Sequence, residues 1–282
     1  MTRRTILTLI GGLPVLFRAA TGSAMAAGPD IWTNFYQPSD TFADLDKLPE
    51  KGTFVYTVRQ STTTEEVAER ILGDASLGPA IARWNDLRRP RLRAGQTIKL
   101  PLPRLALLYT LEALTKPANG FDLEPVDDDH KFRPGERFRL RISANRNGYL
   151  YAFNRDAEGY WRRLYPADLA DGPAEKFTEY LMPGDGWFTL DTKEGKEELF
   201  LLLSLEPIDD LEPLFDTPAG KTIPEEQEKI VESLLEREKS VRKGISRVEP
   251  GGPKWERGAV VALDPESGLP LLAYRLKLRR QE

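Results

Sequence analysis

Arg137-Phe138-Arg139-Leu140-Arg141-Ile142 alternates charge and apolar bulk at every step. A period of two puts the apolar side chains on one face of a β-strand and the arginines on the other, so the segment reads as a strand with one wet face. Asn147-Gly148 then signals a tight hairpin leading into Tyr149-Leu150-Tyr151-Ala152-Phe153. Asp156-Ala157-Glu158-Gly159 turns the chain into Tyr160-Trp161-Arg162-Arg163-Leu164-Tyr165-Pro166, and residues 186–190 and 198–204 offer two further apolar stretches. Several short strands separated by turn signals predict a mainly antiparallel, sandwich-like sheet. Residues 107–114 read Leu-Leu-Tyr-Thr-Leu-Glu-Ala-Leu, which fits a strand or a short helix equally.

Downstream, residues 224–243 form one long, highly charged helix with a stripe of Ile230, Val231, Leu234 and Leu235, a pattern that packs onto its own domain. Residues 258–263 and 271–278 read as a closing β-hairpin, 258–278, across Asp264-Pro265-Glu266-Ser267-Gly268. Upstream, Leu100-Pro101-Leu102-Pro103 is the natural joint with an earlier block, because proline ends a strand and stiffens a link.

That earlier block, residues 53–101, has the order strand, helix, helix, strand. Phe54, Tyr56 and Val58 alternate with polar residues. Thr63 and Glu66 form a capping box ahead of the apolar face of Val67, Ala68, Ile71 and Leu72. A second helix over 77–85 turns Ile81 and Trp84 inwards, and Gly95-Gln96 leads into the strand Thr97-Ile98-Lys99-Leu100. The expected fold class is α+β: a small βααβ module over 53–101, then a β-rich domain over 105–282 with its one long C-terminal helix.

Two resemblances follow from these residues. Tyr56 and Val58, Val67-Ala68, Ile81 with Asn85, and Gly95-Gln96 with Ile98 and Leu100-Pro101 together resemble a LysM domain, a βααβ module that binds peptidoglycan or chitin glycans. The resemblance implies a glycan groove flanked by Ser61, Thr62, Thr63, Asn85 and Leu87. The family's usual Gly-Asp-Thr-Leu is replaced here by Ser61-Thr62-Thr63-Thr64. Pro134-Gly135-Glu136, Gly148-Tyr149-Leu150-Tyr151, Asp156 with Gly159, Leu164-Tyr165-Pro166 and Leu199-Phe200-Leu201 resemble the domain-of-unknown-function family 4384 over about 130–208. That resemblance implies an accessory or interaction module and brings no catalytic residues with it.

The start of the chain carries a basic Arg3-Arg4, a mostly apolar run over 9–17, and the small-residue site Ala24-Met25-Ala26. This is an export signal over 1–26 cut before Ala27, followed by a leader, 27–52, whose Trp32, Phe35, Tyr36 and Phe42 are expected to pack onto later elements. The apolar run is too short to span a bilayer, and no other segment is apolar enough to do so. Arg3-Arg4 with Ile6-Leu7 resembles a twin-arginine signal, with the general secretory route as the alternative. Periplasmic or otherwise exported localisation is the expectation.

The chain lacks cysteine, which excludes disulfides and thiolate metal sites. Losing Arg3, Arg4 and Arg18 with the signal takes the formal net charge from −4 to −7, a poor balance for binding nucleic acid. His130, the one histidine, follows Asp127-Asp128-Asp129, but no second His or Cys completes a metal site. Neither a Gly-x-Ser-x-Gly elbow nor a phosphate-cradling glycine loop is present. Neither a metal nor another cofactor is expected. Asp156 and Glu158 sit in a turn, where carboxylates usually serve turn chemistry. Tyr149, Tyr151 and Phe153 share one strand face and are expected in the sandwich core, whereas Tyr160, Trp161 and Tyr165 offer a candidate aromatic surface. The functional expectation is a non-enzymatic, exported cell-envelope binding protein. Its LysM-like module contacts peptidoglycan and its β-rich domain binds an envelope protein. The alternatives are a structural or assembly factor without glycan binding, and an envelope hydrolase.

Overall fold

The computed structural model describes residues 25–26, 42, 45–115, 122–126, 129–168, 173–184, 186–190, 195–241, 245–248, 259–263 and 270–280. Residues 1–24 of the expected export signal, 1–26, and most of the expected leader, 27–52, therefore lie outside the described residues. The fold is strand-rich α+β, with several antiparallel sheets.

The alternating segment becomes β9 (Arg137–Ala144), and it sits inside an eight-stranded sheet. The other strands of this sheet are β1 (Met25–Ala26), β6 (Leu105–Thr115), β7 (Asp122–Val126), β12 (Thr178–Met182), β13 (Phe188–Thr189), β15 (Ile245–Val248) and β16 (Ala259–Leu263). Their order is β1-β12-β9-β6-β16-β15, with β13 beside β9 and β7 beside β6. The undecided stretch at 107–114 is thus a strand, with Leu111 facing Leu140 across the ladder.

A second, five-stranded sheet has the order β11 (Trp161–Tyr165), β10 (Tyr149–Arg155), β14 (Glu197–Ser204), β17 (Leu271–Arg280) and β8 (Lys131–Phe132). Only β17 and β8 run parallel. Leu107, Tyr109, Leu111, Leu140 and Ile142 of the first sheet share one buried cluster with Leu150, Ala152, Leu199, Leu201, Leu272 and Leu276 of the second. Tyr109 and Tyr274 meet between the sheets, with ring centroids 5.4 Å apart. This is sandwich packing of two inner faces.

The outer face of the second sheet is covered as well. Tyr151, Phe153, Trp161, Phe200 and Leu202 pack under a 3-10 helix, Asp209–Asp216, and under the helix Glu225–Val241, which contributes Val231, Leu234 and Leu235. A strand buried on both faces must be apolar at every position, which is why 199–203 reads Leu-Phe-Leu-Leu-Leu without alternation.

Three sequence expectations are corrected by this topology. The expected Asn147-Gly148 hairpin is absent, because β9 and β10 belong to different sheets and the chain crosses between them there. Gly148 serves a close approach instead, since a Cβ at that position would lie 2.5 Å from the Ser204 carbonyl oxygen. The closing hairpin over 258–278 is also absent: β16 pairs with β6 and β15, whereas β17 pairs with β14 and β8. Tyr151 and Phe153 are buried beneath the helices, and their neighbours Leu150 and Ala152 face the inter-sheet core.

In residues 53–101, β2 (Thr53–Thr57) pairs antiparallel with β5 (Thr97–Pro101). Between them, α1 (Thr64–Val67) runs on into a π-helical turn, Ala68–Leu72, and α2 (Gly78–Trp84) follows a short 3-10 turn. The capping box is present, with the Thr63 side chain accepting from Glu66 N and the Glu66 carboxylate from Thr63 N. Phe54, Tyr56, Val58, Val67, Ile71, Leu72, Ile81, Ile98 and Leu100 are buried in the same cluster as the inter-sheet core. The stretch over 100–103 is buried too, and Leu102 N donates to Gly52 O at 2.7 Å.

Candidate functional site

The expected groove residues are gathered by a second short ladder. β3 (Thr62–Thr63) pairs antiparallel with β4 (Arg91–Leu92), Thr62 facing Leu92 and Thr63 facing Arg91. Thr64 N adds a hydrogen bond to Pro90 O at 2.8 Å. The loop before α1 and the loop after α2 thus form one rim.

Within that rim most of the expected contacts are used internally. Thr63 Oγ1 accepts from Glu66 N at 3.2 Å, and the Thr62 hydroxyl donates to the Glu66 carboxylate. These bonds, that from Thr62 foremost, hold the Glu66 carboxyl below its usual range. Asn85 donates to Lys99 O at 2.9 Å and to Ile81 O at 3.0 Å, and its Oδ1 accepts from Lys99 N at 2.7 Å. Its amide therefore acts as an extra rung on β5, and a sugar hydroxyl would have to displace those bonds. Leu87 is half-buried against the core. Ser61 alone of the five is exposed. Beside it, Arg88, Arg89, Arg91 and Arg93 are all exposed.

The three aromatic residues do not form one open surface. Tyr160 is 49% exposed, but Trp161 is only 2% exposed and lies in the core beneath the helices. Tyr165 is half-buried against Tyr180 at 6.0 Å. The helical layer over the second sheet makes the difference, since it buries the face that an uncovered sandwich would leave wet.

Asp156 is a turn residue: its Oδ1 accepts from Glu158 N at 3.0 Å and Tyr160 N at 2.9 Å, and Arg162 pairs with its other oxygen at 2.6 Å. His130 lies 3.3 Å from Glu136 and edge-on to Phe132. Asp127 and Asp128 lie outside the described residues. Among the described residues no cluster of three or more side chains is arranged to hold a metal ion.

Two charged clusters escaped the sequence reading. On the outer face of the first sheet, buried Glu112 accepts from Arg139 at 2.5 Å and from Arg141 at 2.9 Å, and Arg141 reaches on to Glu179. Where residues 53–101 meet the second sheet, Arg59 donates to Asp209 at 2.9 Å and to Pro207 O at 3.2 Å, and Arg70 donates to the Tyr56 hydroxyl. Glu206 belongs to the same cluster. Burial raises its carboxyl above the usual range, while Arg59 and Arg70 pull the other way. Perturbed titratable groups at a seam mark a candidate site or a structural junction. Here the Arg59 bonds reach 148 and 150 residues along the chain, and no local pattern announces such partners.

The described chain is thus a sheet sandwich with a helical layer and a small helical block sharing its core. Residues 131–207 carry a domain of unknown function, DUF4384. That segment runs from β8 to β14 and omits β6 and β17, the strands that flank β9 and β14, so the sandwich is closed by chain outside the matched region. No curated protein and no solved structure matches this chain. No helix among the described residues is long and apolar enough to cross a membrane.

Proposed function

We propose that this chain is an exported, non-catalytic binding protein of the cell envelope, in which residues 53–101 form a LysM-like module facing peptidoglycan and the β-rich domain engages an envelope protein. The observation that carries the glycan half is the β3–β4 pairing, which joins Ser61–Thr63 and the loop after α2 into one rim between two strands and two helices. The order of elements and the Gly95-Gln96 entry to β5 support the module. Export rests on Arg3-Arg4, the apolar run and the small residues before Ala27.

Cleavage before Ala27 would remove Met25 and Ala26, which pair with Glu179 and Thr178 at the edge of the first sheet. Fractionating cells that produce the full chain, followed by sequencing its N-terminus, tests export directly. The expected product begins at Ala27 and lies outside the cytoplasm. Intact Met1 on a cytoplasmic product contradicts export.

A second reading is an assembly factor whose two parts both contact proteins. The internal use of Thr63 and Asn85 favours it. It predicts partner capture by the whole chain that persists after the glycan has been digested.

A further inference from the structure

Residues 83–99 contain Arg83, Arg88, Arg89, Arg91, Arg93 and Lys99 against the single acid Asp86, in a chain whose formal net charge is −4. All seven are exposed. Leu92 is buried between the exposed Arg91 and Arg93, so the two arginine side chains leave the side of the chain opposite the core. The β3–β4 register sets Arg91 opposite Thr63, on the rim of the proposed groove. Among the described residues, none of the guanidinium groups of Arg88, Arg89, Arg91 and Arg93 makes a hydrogen bond or an ion pair. Asp86, the acid nearest in the chain, is exposed and forms no ion pair with them among the described residues, and Glu66 takes its bonds from Thr62 and Thr63.

We infer that this rim selects an anionic glycan, gripping the carboxylates of a peptidoglycan strand through Arg88, Arg89, Arg91 and Arg93. The inference rests on the glycan reading above and narrows its ligand class. With Thr62, Thr63 and Asn85 committed within the fold, neutral hydroxyl recognition has Ser61 left to use, whereas the four arginines are free to pair. A planar guanidinium matches a carboxylate with two parallel hydrogen bonds, which suits this chemistry better than a neutral sugar. A flat anionic membrane is a poorer fit. The only large apolar residues exposed among the described ones are Val55, Leu123 and Tyr160, none in this loop, so it has nothing to insert.

The test compares the whole mature chain with its Arg91→Gln/Arg93→Gln variant on four probes. These are intact sacculi, sacculi whose carboxylates have been converted to amides, chitin, and phosphatidylglycerol vesicles. The expected result is salt-sensitive binding to intact sacculi that weakens about tenfold or more with either the variant or the amidated sacculi. Because both residues are exposed, the variant should unfold at the wild-type midpoint, which separates lost binding from lost folding. Equal binding to intact and amidated sacculi, or to chitin, overturns the charge selectivity and leaves the glycan reading standing. Preference for the vesicles over sacculi reassigns the patch to lipid and overturns the inference. Failure to bind any carbohydrate overturns both.

Discussion

The guanidinium of Arg146 donates to the main-chain carbonyl of Leu72 at 2.5 Å, tying the chain that crosses between the two sheets to the end of the helical run in residues 53–101. Leu72 closes that run, and Gly73 follows with φ 80°, so the arginine caps a helix C-terminus whose carbonyls lack helical partners. Burial pulls the Arg146 pKa down to about 10, still far enough above neutrality to keep it charged. A buried cation on a carbonyl cap links the two parts of the chain energetically as well as spatially. Arg146→Ala should therefore lower stability by about 1–3 kcal/mol. Gly73→Ala should also destabilise, because its Cβ would lie 2.8 Å from the Arg146 guanidinium at a positive φ. Urea unfolding followed both by tryptophan fluorescence and by circular dichroism should give one shared transition. Two separated transitions would contradict the coupling.

The helical layer over the second sheet gives a sharp contrast between neighbours. Trp161→Ala should cost about 3–5 kcal/mol, since it empties a large buried site. Tyr160→Ala should stay within about 0.5 kcal/mol of wild type, as expected for an exposed turn residue. Thermal unfolding of the two variants measures the difference, and similar costs would contradict the buried position of Trp161.

Glu206 supplies a pH dependence. A carboxyl whose folded-state pKa is raised holds its proton more tightly in the folded chain, so ionising it costs folding stability. That penalty is absent below the unfolded value of about 4.3, grows as pH rises through the raised folded value, and is constant above it. Glu206→Gln should accordingly gain on wild type between about pH 4 and about pH 8. Urea midpoints at the two pH values measure this, and an unchanged difference would contradict the raised carboxyl.

Asn85 and Ser61 separate structure from recognition on the rim. Asn85→Ala removes three hydrogen bonds to Ile81 and Lys99 and should cost about 1–3 kcal/mol of stability. Ser61→Ala should leave the unfolding midpoint unchanged and act on binding alone. The reverse pattern would mean that Asn85 is free to reach a ligand.

Local chemistry in the sequence was a good guide to local structure. The Thr63–Glu66 box, the alternation in β9, the Asp156 turn and the Val231-Leu234-Leu235 stripe each depend on residues a few positions apart, and each is present. What depended on distant partners was not legible. Asn147-Gly148 carries a hairpin signature, but the sheet in which β10 pairs is set by Leu199–Leu203 and the approach of Ser204. Residues 259–263 and 271–280 resemble two arms of a hairpin, yet each finds a better-matched neighbour elsewhere, β6 and β14. Trp161 looked solvent-facing because the helix that covers it starts more than 60 positions later. In the rim, residue types alone could not reveal that Asn85 spends its amide on the backbone of Ile81 and Lys99.

Co-sedimentation of the mature protein, beginning at Ala27, with purified sacculi at low salt measures whether the chain meets the glycan layer. The protein is expected to pellet with the sacculi and to stay in the supernatant without them. Protein left in the supernatant at every sacculus concentration would contradict it.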